Sequence, residues 1–194
     1  MLKLNIGCGP NPLVGWYNVD LHAQVVGVGQ LDATKRFPYP DETFDRIFTE
    51  HMIEHITYEE GRRMLAECYR VMKPGGRLRV STPCLEFLYG LMYNPTDLTD
   101  EYVEWACTAF APGQPIRSEI VINNFVRAWG HQFIYSRDLL ALTLANVGFH
   151  ELRLGLSVGE SDDAEFRDLE NAGRMPEGFL QLETMTVEAE KPSA

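Results

Sequence analysis

LNIGCGPNPLVGWYNVDL (Leu4–Leu21) opens on apolar residues at Leu4 and Ile6, in step with Leu2, and then runs into Gly7 and Gly9. That is the pattern of a short strand ending in a turn. Glycines at a strand end are by themselves ordinary turn residues, but they also let a backbone approach a ligand closely and present N–H groups to negative charge. Asp20, at the tip of a second strand in WYNVDL, adds to this, because an acid in that place holds ribose hydroxyls in nucleotide-binding α/β sheets. Thirteen residues separate Gly7 from Asp20. A nicotinamide dehydrogenase places its acid about twenty residues on, after a full helix, and prefers G-x-G-x-x-G. Here Asn11-Pro12 stand where the third glycine and the helix start would come, which removes a pyrophosphate site at a helix N-terminus. A nucleoside carrying a carboxylate fits the spacing better than a dinucleotide.

Downstream, VGVGQLDA ends in a third strand and FDRIFTE (Phe44–Glu50) forms a fourth, introduced by the two-proline loop FPYPDET. Thr57 and Glu60 make a capping box for a helix in which Met64, Leu65, Cys68, Val71 and Met72 repeat at helical spacing. Pro74-Gly75-Gly76 stops it and RLRVSTP resumes as a strand, so strand, helix and strand imply a right-handed crossover between parallel strands. The fold class is α/β. Residues 84–130 break the rhythm with eight aromatics and helix-like pieces around Glu101–Phe110 and Glu119–Arg127. They read as a helical insertion, or lid, over one end of the sheet. Ser136 caps a last helix, RDLLALTLANV, closed by Gly148, and the strands HELRLGL and LQLETMTVEAEK follow.

At 194 residues the chain fits one domain, residues 1–194. A formal charge of -11 without a basic cluster argues against nucleic acid as a partner. The acidic run ESDDAEFRDLE reads as a solvated face. Cys8, Cys68, Cys84 and Cys107 are scattered with no C-x-x-C pair, which points to a reducing compartment. No basic leader precedes the first strand and no apolar run nears the ~20 residues of a membrane helix. The expectation is a cytoplasmic protein without membrane insertion.

Four stretches in order resemble the class I S-adenosylmethionine-dependent methyltransferases: the opening one, LDATKRFPYPDETFDRIFTEHMIEHI, RRMLAECYRVMKPGGRLRVSTP and LLALTLANVGF. WGHQFIYS and the C-terminal VEAEKP narrow the resemblance to small bacterial members. It implies a Rossmann-like sheet of seven strands, mostly parallel with the last antiparallel, a helical insertion after the fifth strand, and S-adenosylmethionine at the carboxyl ends of the first strands. By position, Gly7 and Gly9, flanked by Asn5 and Cys8, lie beneath the methionine part of the cofactor. Asp20 and Leu21 meet the ribose, Asp32 and Ala33 read adenine, and Glu50 and His51 stand beside the transferred methyl. The departure from the family is the missing first helix.

HMIEH (His51–His55) also spells H-x-x-E-H, an inverted zinc-protease signature. A strand ends just before His51 and a different helix starts at Thr57, so no sustained helix carries both imidazoles. A single turn would still align them, which leaves a zinc-dependent hydrolase as one rival reading and a non-catalytic cofactor-binding protein as another. The resemblance implies an EH-x-x-EH run without zinc, and no metal is expected. Methyl transfer needs a base only for a protonated nucleophile, and the catalytic candidates are His51, His55 and His131. Glu54 reads as a surface carboxylate or a partner of His51. The expected acceptor is a small molecule, a sugar intermediate or a lipid-linked metabolite, and the expected state is monomer or homodimer.

Overall fold

The computed structural model describes residues 1–193. Four strands come first: β1 (Lys3–Ile6), β2 (Tyr17–Asp20), β3 (Gly29–Gln30) and β4 (Phe44–Glu50), with no helix in the segments that join them. α1 (Tyr58–Val71) starts at the Thr57–Glu60 capping box, in which each side chain bonds the other residue's backbone N–H. β5 (Met72–Pro83) follows at once. Then come α2 (Leu85–Tyr93), α3 (Asp97–Phe110), α4 (Ser118–Arg127), α5 (Arg137–Val147), β6 (His150–Leu156), the short α6 (Phe179–Glu183) and β7 (Thr184–Glu190).

The seven strands form one sheet in the order β3-β2-β1-β4-β5-β7-β6. The first five run parallel, and β7 is antiparallel to both β5 and β6. From β1 the chain goes outward through β2 and β3, then returns to the other side of β1 with β4. This reversal opens a crevice at the carboxyl ends of β1 and β4, the place where open α/β sheets bind ligands.

The two faces of the sheet differ in chemistry. On one face Leu4, Ile6, Ile47, Leu78, Val80 and Val187 are buried in a single apolar cluster with Met64, Leu65 and Cys68 of α1 and Leu140 and Leu144 of α5. The same cluster continues into the insertion through Phe87, Leu91, Tyr102, Val121 and Phe125. On the other face the register sets Arg46 beside Arg77, Phe48 beside Arg79 and Arg79 beside Glu188. Among the described residues no long α-helix covers this polar face. Residues 157–178 lie across it and match its cations one by one: Glu165 to Lys3 at 2.5 Å, Asp163 to Arg46 at 2.5 Å and Asp162 to Arg77 at 3.1 Å.

Arg79 sits at the centre of this layer and is fully buried. Its guanidinium donates to Glu170 at 2.7 Å, to Glu188 at 2.6 Å and to the Glu160 carbonyl at 2.8 Å. Glu170 also accepts from the Ser81 hydroxyl and the Gly159 N–H. Burial alone would raise the Glu170 carboxyl, but Arg79 and these donors outweigh it and hold it below the ordinary glutamate value. The acidic run is therefore a layer of the structure, correcting its reading as a solvated face. Phe166 within it is buried against Trp16, which in turn meets Phe48.

Other differences from the sequence reading are local. α1 ends at Val71, and Pro74-Gly75-Gly76 lies inside β5 rather than at the helix end. α2 was not visible in the aromatic stretch where it lies. The last strand starts only at Thr184, because Phe179–Glu183 folds as a short helix that buries Phe179 and Leu180. No helix among the described residues is long and apolar enough to cross a membrane.

Removing one partner of a buried ion pair leaves the other charge uncompensated. Glu170→Ala is expected to destabilise the protein by about 3–5 kcal/mol, measured as a lowered urea midpoint with an unchanged slope. Glu165→Ala, at an exposed rim of the same layer, should cost about 1 kcal/mol or less.

Candidate active site

The sheet order places the ends of β3, β2, β1 and β4 side by side, so the residues that follow them form a row. With neighbouring strands about 4.8 Å apart, four strand ends span roughly 14 Å. Asp32, Asp20, Gly7 and Glu50 stand in that order along the row.

The glycine loop is tight because both glycines have positive φ, 71° at Gly7 and 52° at Gly9. A Cβ on Gly7 would lie 2.3 Å from Met52 Cγ, whereas nothing lies within 4 Å of one on Gly9. The loop's N–H groups are spent within the protein: Gly7 and Cys8 donate to the Val19 carbonyl and Gly9 to the Asp20 carboxylate at 2.9 Å. The expected display of N–H groups to a negative ligand is thus corrected. Asp20 also accepts from the His22 N–H at 2.8 Å, so it braces the loop while each oxygen keeps a lone pair.

Asn5, Gly7, Cys8, Gly9, Glu50 and His51 line one cavity of about 220 Å³, together with Phe48, Asn171 and Arg174. Asp20, Leu21, Asp32 and Ala33 are not among its wall residues; they continue the row beyond it. Asn5 is buried and donates to Asn18 at 2.9 Å. Glu50 accepts from the Asn171 N–H at 3.0 Å. Burial raises the Glu50 carboxyl, against the opposing charges of Arg174 and His51. Asp32 is held below the ordinary aspartate value by the hydroxyl and N–H of Thr34.

A second cavity, of about 290 Å³, lies beside the first and shares His51 and Arg174 with it. Its aromatic walls come from the insertion: Tyr102, Trp105, Phe110, Phe125 and Trp129. Its polar groups are Glu54, His55, His131 and Glu183, so all three catalytic candidates of the sequence meet here. His51 has a φ of 45°, unusual for a residue other than glycine. Its ring is anchored at Nε2, 2.9 Å from the Thr184 hydroxyl, while Nδ1 stands 3.3 Å from Glu54 Oε1 without making a hydrogen bond.

The WGHQFIYS block docks on the HMIEH turn through backbone bonds. Gln132 and Phe133 N–H both donate to the Glu54 carbonyl, at 2.7 and 3.2 Å, and the Gln132 side chain donates to the His55 carbonyl at 2.8 Å. This brings the His55 and His131 rings to 4.9 Å between centroids, edge to face. The His131 Nδ1 lies 2.6 Å from the Phe125 carbonyl, which only accepts, so Nδ1 carries the proton and Nε2 a lone pair. Burial holds the His131 pKa below the ordinary imidazole value, and the ring is neutral at pH 7.

Glu54 is fully buried and pairs with His51, not a surface group. Burial pushes its carboxyl up, but the neighbouring His51 and the backbone outweigh this and hold it low. Glu183 is raised by its burial; it accepts from the Tyr102 hydroxyl and stands 3.5 Å from Arg174. Arg174, Asn171 and Glu183 were missed in the sequence, where neither period nor motif marks them.

Residues 4–80 match the family model described as "Methyltransferase domain". Over 56 residues the chain is 39% identical to the ubiquinone/menaquinone biosynthesis C-methyltransferase UbiE of Bordetella avium (strain 197N), a match covering 29% of this chain and 21% of that protein. The chain thus spans about a fifth of the length of this curated relative. A crystal structure of a SAM-dependent methyltransferase from Archaeoglobus fulgidus superposes with a TM-score of 0.60 at 17% identity, covering 97% of this chain and 85% of the other. A second, from Mesorhizobium loti, gives 0.56 at 16% identity over 98% and 90%. These likenesses establish the fold.

Gly7→Ala should be worse than Gly9→Ala. Both carry the strain of a left-handed backbone, about 1–3 kcal/mol, and only the first also collides with Met52. Chemical denaturation of the two variants measures the difference.

Proposed function

We propose that this chain, whose fold is that of the class I methyltransferases, transfers the methyl group of S-adenosylmethionine to a small-molecule acceptor. The observation that carries the reading is the junction of the two cavities: one is lined by the glycine loop, the other by aromatic residues, and His51 and Arg174 belong to both.

The residues present fit the cofactor. The N–H groups of the glycine loop are spent internally, and Glu50 places a carboxylate in the wall of the same cavity. Such a wall suits an ammonium and a sulfonium better than a phosphate. Gly7, Cys8, Gly9 and Asn5 would hold the methionine part, Asp20 with Leu21 the ribose, and Asp32 with Ala33 the adenine, while Glu50 and His51 would flank the methyl. Bound there, the sulfonium supplies a methyl on a good leaving group, so in-line displacement asks mainly for a nucleophile held about 3 Å away.

The chain's own residues supply the rest. Tyr102, Trp105, Phe125 and Trp129 give the second cavity aromatic walls, a surrounding that favours a cationic sulfonium nearby. His51, anchored at Nε2 by Thr184, serves as a wall between the two ligands. The acceptor's polar atom falls to the side of the cavity that His55 and His131 line. A cavity of about 290 Å³ suits a small acceptor, and the net charge of -11 disfavours nucleic acid.

Calorimetric titration with S-adenosylhomocysteine, against NADH as comparison, tests the reading. One equivalent of the former and none of the latter is expected, and Asp20→Ala should weaken binding more than about tenfold. Absence of binding would overturn the reading; unchanged affinity in the variant would overturn the ribose assignment alone.

A further inference from the structure

Glu54, His55 and His131 bring one carboxylate oxygen and two imidazole nitrogens within 4.8 Å of one another. Three observations point to a cation among them. First, Glu54 is fully buried; its Oε2 accepts from the Thr82 hydroxyl at 3.0 Å, while its Oε1 has no hydrogen-bond partner, His51 Nδ1 being 3.3 Å away. A buried carboxylate oxygen left without a partner is costly. Second, the Phe125 carbonyl fixes the proton of His131 on Nδ1 and leaves Nε2 free, the outer bond that metal-ligating histidines make. Third, all three residues line the aromatic cavity, so a position beyond them faces open space.

We infer that Glu54, His55 and His131 form a site for a divalent transition-metal ion of the zinc type, with one coordination position open to the acceptor cavity. Two imidazoles and a carboxylate suit zinc and its neighbours rather than magnesium or calcium, which prefer all-oxygen shells. Bonds of about 2.0–2.2 Å draw the three atoms somewhat closer than they stand here. The trio differs from the H-x-x-E-H pairing, since His51 is occupied by Thr184 and its place is taken by His131, eighty residues on.

Resting on the methyl-transfer reading, the ion narrows the acceptor to a hydroxyl compound. The hydroxyl binds the open position and loses its proton to water. Its oxygen then forms a C–O bond to the methyl as the C–S bond breaks, the electron pair stays on sulfur, and the sulfonium becomes a neutral thioether.

The test is zinc titration of the metal-stripped full chain by calorimetry, with cobalt(II) substituted for its visible absorption. One equivalent is expected, with a cobalt spectrum of four-coordinate character, and binding weakened at least about tenfold in His131→Ala and in His55→Ala. His22→Ala, remote from the cavity, should leave it unchanged. S-adenosylhomocysteine binding retained by the histidine variants shows that they fold and keeps the two readings apart. No zinc bound by a protein that binds S-adenosylhomocysteine would overturn the metal site alone, as would zinc held equally well by both histidine variants.

Discussion

A guanidinium with no access to water sits in the middle of β5, and much of the molecule is arranged around it. Arg79 cannot shed its charge, so the layer above the sheet must bring anions to it. Glu188 comes from the neighbouring strand, and Glu170 and the Glu160 carbonyl come from a segment some ninety residues away. Pinning Glu170 fixes the residues that follow it: Asn171 donates to Glu50 and Arg174 reaches Glu183. Asn171 and Glu50 line the glycine-loop cavity, Glu183 lines the aromatic one, and Arg174 belongs to both. The polar face of the sheet is thereby tied to the geometry of the site.

Two ways of positioning groups meet at this site. The glycine-loop cavity is set by backbone: the ends of adjacent parallel strands, a glycine loop that donates to Val19 and Asp20, and a positive φ at His51. The aromatic cavity is set by side chains from distant segments. The insertion contributes aromatic walls, and the block after it contributes His131 and docks against the turn after β4. The first arrangement follows from the order of the strands, the second from segments that return from far along the chain.

This division explains what the sequence disclosed. The strands, the capping box of α1, the Gly148 stop of α5 and the glycine loop are local, and periodicity or a few adjacent residues reveal them. α2 escaped because LEFLYGLMY is apolar almost throughout and shows no contrast between faces. The start of β7 was misplaced because apolar residues at Phe179 and Leu180 serve a short helix as well as a strand. The acidic run looked solvated because its partners, Lys3, Arg46, Arg77 and Arg79, alternate with apolar residues on strands far away in sequence. For Glu54 the sequence left a surface carboxylate and a partner of His51 side by side; the structure has the second, and its burial comes from segments that return much later. Asn5, Gly7, Cys8, Gly9, Glu50 and His51 were legible and share one cavity, whereas Asp20, Leu21, Asp32 and Ala33 extend the row past it.

A crystal structure of the chain with S-adenosylhomocysteine bound would test most directly whether the two cavities form one site. The sulfur should lie at the junction between Glu50 and His51, pointing toward the aromatic cavity, with the ribose on Asp20 and the adenine beside Asp32. A ligand bound away from that row, or with its sulfur closed off from the cavity of His55 and His131, would contradict the arrangement.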